Sequence, residues 1–171
     1  PARSEMCIRD RLNSPTVVVL NDRNELDKQL YDTFAVSTLL PEAPTHISSR
    51  ENLREQLSQR QSGGIYFATL QKFGLQGEKD ERELEHPVLS ERHNIVVISD
   101  EAHRSHYGFG DTNADGYAHH LRTALPNATM IAFTGTPIDE WDRNTREVFG
   151  GEIDVYDMNR AVADGAVVPV Y

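Results

Sequence analysis

Short unbroken apolar runs alternate along this chain with stretches whose apolar positions recur every three or four residues. The first run, Thr16-Val17-Val18-Val19-Leu20, is short and rich in β-branched side chains, as buried strands are. Behind it, Asp22 is placed to cap a helix, and Glu25, three residues on, completes a capping box. Leu26, Leu30, Tyr31 and Phe34 then share one face at helical spacing. Pro41 and Pro44 mark a turn, and Thr45-His46-Ile47 reads as a short strand. Ser48 with Glu51 repeats the capping signal ahead of Leu53 and Leu57. Gly63-Gly64 ends that unit and leads into a third strand, Ile65 to Leu70.

Residues 74–93 change character. Gly74, Gly77 and a dense mixture of Glu78, Lys79, Asp80, Glu81, Arg82, Glu83 and Glu85 predict a solvated, mobile loop. Ile95-Val96-Val97-Ile98 follows, an unbroken apolar run that predicts a strand buried on both faces. A short helix carries Tyr117, Leu121 and Leu125, Pro126-Asn127 turns, and Met130-Ile131-Ala132-Phe133 is the next strand. A helix over 143–149, the segment Ile153–Val155, and a helix capped by Asp157 and stopped by Gly165 complete the pattern. Strands alternating with helices predict an α/β fold, a mainly parallel sheet flanked by helices.

Composition narrows the function. The 171 residues suit one domain with a real core. A net charge of -10 excludes attachment to nucleic acid by overall charge, so any phosphate contact must be local. The lone cysteine, Cys7, excludes a disulfide framework and a cysteine-rich zinc site. With no apolar run long enough for a membrane helix, a membrane-free protein of the reducing cytoplasm is expected. Residues 1–11 read as a non-native leader, because Glu5-Met6-Cys7-Ile8-Arg9-Asp10 back-translates to the end of a sequencing-library adaptor. Residues 12–171 are then one domain, expected to be incomplete at both ends, since no initiator Met opens the chain and it stops inside the apolar run Ala166–Tyr171.

The chemistry gathers behind two of the strands. Asp100 and Glu101 emerge directly from Ile95–Ser99, and ligands of open α/β sheets bind at the carboxyl ends of the strands. There an Asp can hold a hydrated Mg²⁺ while a Glu orients a water. Thr134-Gly135-Thr136-Pro137 leaves the following strand in the same way, with two hydroxyls about a glycine in a tight turn. Two metal readings fare worse. Asp111-Thr112-Asn113-Ala114-Asp115-Gly116 begins like a calcium loop, but Arg122 stands where a bidentate Glu must close it. His103 and His106 lack the spacing of a zinc-hydrolase helix. The histidines at 46, 86, 93, 119 and 120 are expected to be ordinary surface residues.

Asp100-Glu101-Ala102-His103 with Thr134-Gly135-Thr136-Pro137 resembles motifs II and III of superfamily 2 helicases and translocases. More narrowly, the runs 100–108 (DEAHRSHYG), 124–128 (ALPNA), 133–138 (FTGTPI) and 161–166 (AVADGA) resemble the motor (restriction) subunit of Type I restriction-modification enzymes. Residues 17–26 (VVVLNDRNEL) resemble that family's motif Ia, although Asn21 stands where a small or apolar residue is expected. The resemblance implies a RecA-like motor lobe of the P-loop NTPase class that uses ATP and Mg²⁺ to translocate double-stranded DNA. Its partners would be methyltransferase and specificity subunits. In such a lobe Asp100 would hold the Mg²⁺ through water and Glu101 would activate the attacking water. His103, Thr134, Gly135 and Thr136 would couple nucleotide state to DNA contact. Arg23, Thr69, Gln71 and Lys72 would track the DNA backbone. The phosphate loop G-x-x-x-x-G-K-[ST] of such motors occurs nowhere in the chain.

Overall fold

A computed structural model describes residues 12–38, 40, 42–75, 83, 85–100, 117–134, 150–151 and 153–168. Its sheet has five strands in the order β2-β3-β1-β4-β5, every neighbouring pair parallel. The strands are β1 (Thr16–Asn21), β2 (Thr45–His46), β3 (Ile65–Thr69), β4 (Ile95–Ser99) and β5 (Thr129–Ala132). The helices are α1 (Asn24–Ala35), α2 (Arg50–Gln59), α3 (Tyr117–Ala124) and α4 (Met158–Ala163), with a 3₁₀ turn at Leu70–Phe73 directly behind β3. The α/β arrangement expected from the alternating pattern is present.

One core cluster holds the sheet against its helices. Val18 and Leu20 of β1 and Ile95 and Val97 of β4 pack with Leu53 and Leu57 of α2, Phe73 of the 3₁₀ turn, and Leu121, Ala124 and Leu125 of and after α3. Each fully buried leucine among them contributes on the order of 2 kcal/mol. On the other face, Phe67 of β3 is covered by α1, with Tyr31 edge-on at 6.0 Å and Phe34 tilted at 5.5 Å.

Several expectations need correction. β4 is not buried on both faces: Ile95, Val97 and Ser99 are buried while Val96 and Ile98 are half-covered. The core cluster is dense on only one side of that strand. Along α1 the apolar stripe is half-buried, and its one buried residue is Asp27, at 1% exposure. Asp22 does not cap α1. Arg23 occupies the cap position without a side-chain bond, and the Asp22 carboxylate accepts from Gln71 Nε2 at 3.1 Å. The cap of α2 is Ser49, one residue beyond Ser48, and accepts from the Asn52 amide at 3.1 Å. Asn52 reaches back to the Ser48 N–H at 3.3 Å, so the box closes through an amide side chain in place of Glu51.

The described residues of the charged segment 74–93 are also more packed than its composition suggests, while 76–82 and 84 lie outside the described residues. Leu75, His86 and Leu89 are buried, and the Leu89 amide donates to the Ala124 carbonyl at 2.8 Å. Arg54 grips Glu83 with two parallel bonds of 2.7 and 2.6 Å. Isolated apolar residues at irregular spacing plug a core without generating any periodic signal. His86 is therefore no surface histidine. Its ring lies between Phe73 and His120, Nδ1 donates to the Pro87 carbonyl at 2.8 Å, and burial pushes its pKa down.

At the amino ends of the strands polar groups close on one another. Thr16 Oγ1 donates to the Gly63 carbonyl at 2.6 Å and accepts from Arg92 Nη2 at 2.9 Å. Arg92 Nη1 also donates to the Gln61 carbonyl at 2.9 Å. The Glu42 carboxylate takes the Gly64 amide and Arg60 Nη2, and that backbone bond, ahead of Arg60, holds its pKa below the usual carboxylate value. Gly64 sits at φ +93, and a Cβ there would meet the Tyr66 ring at 2.7 Å.

α4 starts where Asp157 accepts from the Arg160 amide at 2.8 Å and stops at Gly165, φ +71, as expected. No helix among the described residues is long and apolar enough to cross a membrane. The helix expected at 143–149, the acidic loop 111–116, and the sequence 1–11 lie outside the described residues.

Candidate functional site

Parallel strands put all their carboxyl ends on one side of the sheet, and the register shows which residues share that level. Asn21 of β1 pairs with Thr69 of β3, and Ser99 of β4 pairs with Ala132 of β5. One residue past β4, the Asp100 amide donates to the Leu20 carbonyl at 2.9 Å; one past β5, the Phe133 amide donates to the Ser99 carbonyl at 2.8 Å. Asp100 is thereby carried by an internal strand, with Thr134 following on the neighbouring one. Sequence distance between them is bridged by strand pairing. Glu101, His103, Gly135 and Thr136 lie outside the described residues.

A hydrated Mg²⁺ requires hard oxygen ligands and tolerates a single carboxylate. Asp100, on a strand end fixed by its own backbone bond, supplies one carboxylate of the kind such an ion could use. Among the described residues no three His, Cys, Asp or Glu side chains group to hold a metal by themselves. Zinc through His103 and His106 falls outside the described residues.

The residues expected to touch DNA lie at the same end of the sheet, on the other side of β1. Arg23 is exposed at the head of α1. Lys72 is half-buried in the 3₁₀ turn, and burial lowers its pKa while the charge of Asp27 acts to raise it. Gln71 donates Nε2 to both the Asp22 carbonyl and carboxylate, at 3.0 and 3.1 Å, and so ties the turn behind β3 to the turn behind β1. Thr69 is 4% exposed, so its hydroxyl is largely withdrawn from solvent.

Sequence reasoning missed a polar cluster beneath these residues. Asp27 Oδ2 is 2.7 Å from His46 Nε2, and Asp27 Oδ1 accepts from Asn21 Nδ2 at 3.2 Å. A carboxylate only accepts, so the imidazole donates. The Tyr31 ring stands edge-on to His46 at 5.3 Å. One carboxylate thus joins β1, α1 and β2 across β3. The signal lay in the spacing: Asp27 falls with Leu30, Tyr31 and Phe34 on the packed stripe of α1, where a charge needs partners.

On this parallel α/β sheet Asp100 closes an internal strand and Thr134 follows the neighbouring one, and the chain belongs to the SWI2/SNF2 ATPase family, whose profile matches residues 3–171. It is 47% identical over 172 aligned positions to the Type I restriction enzyme HindI endonuclease subunit of Haemophilus influenzae, covering 97% of this chain and 16% of that protein. It is 48% identical over 160 positions to the putative type I restriction enzyme MjaIXP endonuclease subunit of Methanocaldococcus jannaschii, covering 94% of this chain and 14% of that one. The chain therefore spans about one-sixth of the length of these relatives.

Proposed function

We propose that residues 12–171 form part of the first motor lobe of an ATP-driven double-stranded DNA translocase, the restriction subunit of a Type I system. The observation that carries this reading is Asp100 at the end of an internal parallel strand with Thr134 following the neighbouring strand, in a SWI2/SNF2 family member. Asp100 would bind Mg²⁺ through water, and the ion, when bound, neutralises charge on the ATP phosphates. Glu101 orients and deprotonates the attacking water. His103 and the turn Thr134-Gly135-Thr136 couple the nucleotide state to the DNA-facing residues. Arg23, Lys72, Thr69 and the backbone held by Gln71 follow phosphates without reading bases. Methyltransferase and specificity subunits are the partners, and the cytoplasm is the compartment. The names of the relatives support this assignment.

This polypeptide alone is expected to hydrolyse no ATP, since it carries no phosphate loop. In a complete subunit, Glu101→Gln should lower DNA-stimulated phosphate release by about a hundredfold or more, the scale of a lost general base, while nucleotide still binds. Loss of binding together with turnover would make Glu101 a structural residue. DNA-stimulated hydrolysis by the isolated polypeptide, abolished by Glu101→Gln, would overturn the first expectation.

A further inference from the structure

Two turns meet at the carboxyl ends of β1 and β3, where Asn21 pairs with Thr69. Behind β1 come Asp22 and Arg23, and behind β3 the 3₁₀ turn carries Gln71 and Lys72. Each basic residue assigned to DNA is thus the chain neighbour of a residue in the bond that joins the turns. Gln71 Nε2 lies 3.0 Å from the Asp22 carbonyl oxygen and 3.1 Å from Asp22 Oδ1. A carbonyl and a carboxylate only accept, so the amide nitrogen must face them, and its two hydrogens meet two acceptors. What remains of the Gln71 amide is Oε1, another acceptor, with nothing to donate to a phosphate. The turn is also held from its far side. The Gly74 amide donates to the Gln71 carbonyl at 3.1 Å, and Arg50 Nη1 of α2 donates to the Leu75 carbonyl at 2.7 Å.

We propose that Gln71 is a positioning residue and not itself a DNA contact: its amide and Asp22 latch the two turns together and so fix the spacing between Arg23 and Lys72. Phosphates recur at a set interval along a duplex, so two cations neutralise two of them only at a matching separation. A bond between the residues next to those cations sets the separation before DNA arrives, which lowers the ordering cost of binding. Asp22 makes the idea sharp. By charge alone an acid beside a phosphate path weakens binding, whereas an acid that accepts the Gln71 amide strengthens it. This inference rests on the reading of Arg23 and Lys72 as phosphate contacts.

The test uses a complete subunit and measures affinity for unrelated duplexes as a function of salt. Gln71→Ala should weaken binding about fivefold, the scale of a lost hydrogen bond. It should also lower the slope of log affinity against log salt, because a cation no longer held in place leaves its phosphate unneutralised. A direct amide contact would lose affinity with the slope unchanged, and a merely structural latch would lower the melting temperature with both unchanged; either result overturns the inference. Asp22→Ala should weaken binding, and Asp22→Asn, which keeps an acceptor, should bind more tightly than Asp22→Ala. Affinity at or above wild type in Asp22→Ala, or an Asn variant no better than the Ala variant, overturns the proposal. The Asp22→Ala, Gln71→Ala double variant should lose no more than Gln71→Ala alone, and additive losses count against the latch. Should Gln71→Ala fail to fold, Gln71→Met keeps the length without a donor and must meet the same expectations. If Arg23→Ala and Lys72→Ala both leave the slope untouched, the DNA-facing assignment falls and takes this inference with it. If they each lower it by about one unit and Gln71→Ala does not lower it, only this inference falls.

Discussion

The two ends of the sheet treat polar groups in opposite ways. At the amino ends, Arg92 donates to Thr16, which donates to the Gly63 carbonyl, and Glu42 takes the Gly64 amide and Arg60. At the carboxyl ends, Arg23 and Lys72 make no side-chain bond among the described residues, and Asn21 keeps a buried orphan acceptor. Unsatisfied buried groups cost stability, so the fold retains them where something else is required of them. The amino-end bonds hold the strands in place, and under the proposed function the carboxyl ends are the side that meets nucleotide and DNA.

Substitutions at the amino ends should cost stability and leave DNA contact alone. The largest effect is expected from Gly64→Ala, which combines a left-handed backbone with a Cβ 2.7 Å from the Tyr66 ring. A loss of about 3 kcal/mol should appear in chemical denaturation; a loss under about 1 kcal/mol would mean the turn relaxes freely. Arg92→Ala should cost about 2 kcal/mol by stripping Thr16 and the Gln61 carbonyl of a charged donor. Its salt slope for DNA should match the wild type, and a changed slope would blur the distinction between the two ends.

At the carboxyl ends the expectation reverses. In a complete subunit Lys72→Ala should leave stability nearly unchanged and weaken DNA binding evenly across sequences. Thr69→Ala should cost on the order of 1 kcal/mol of binding with the salt slope preserved, because a neutral hydroxyl releases no counterion. Since Thr69 is buried, an absent binding effect would assign the contact to backbone at this position.

The smallest effect separates both ends from the core between them. The His86 ring has a lowered pKa from burial, so the unfolded chain takes up its proton first as pH falls below about 6.5. In that window the unfolded state binds more protons, and stability drops as pH drops. Melting temperature should fall by a few degrees at most between neutral pH and mild acid, and less in His86→Phe. An identical pH dependence in that variant would remove His86 as the cause. The Glu42 carboxylate, whose pKa is also lowered, acts in the same sense lower on the scale: its contribution is present above the unfolded carboxylate pKa and is lost only on further acidification.

Much of this was legible in the residues. Unbroken β-branched runs at Thr16–Leu20 and Ile95–Ile98 specified strands, since few conformations bury such runs, and their alternation with helical spacing specified a parallel sheet. Asp100 was legible as the residue that leaves an internal strand, and its amide does bond the Leu20 carbonyl of the neighbouring strand. Caps were legible only to within a residue: Ser48 and Ser49 are equally good by composition, and backbone geometry chose Ser49. Tertiary structure alone decided that Asp22 serves Gln71 across 49 positions and that His86 enters the core. It alone decided that Asp27 meets His46 and Asn21 across β3. Hydrophobic periodicity is a property of neighbours along the chain, so it specifies which elements form. Pairing between polar groups depends on which strands become adjacent, and adjacency exists only once the sheet has been assembled.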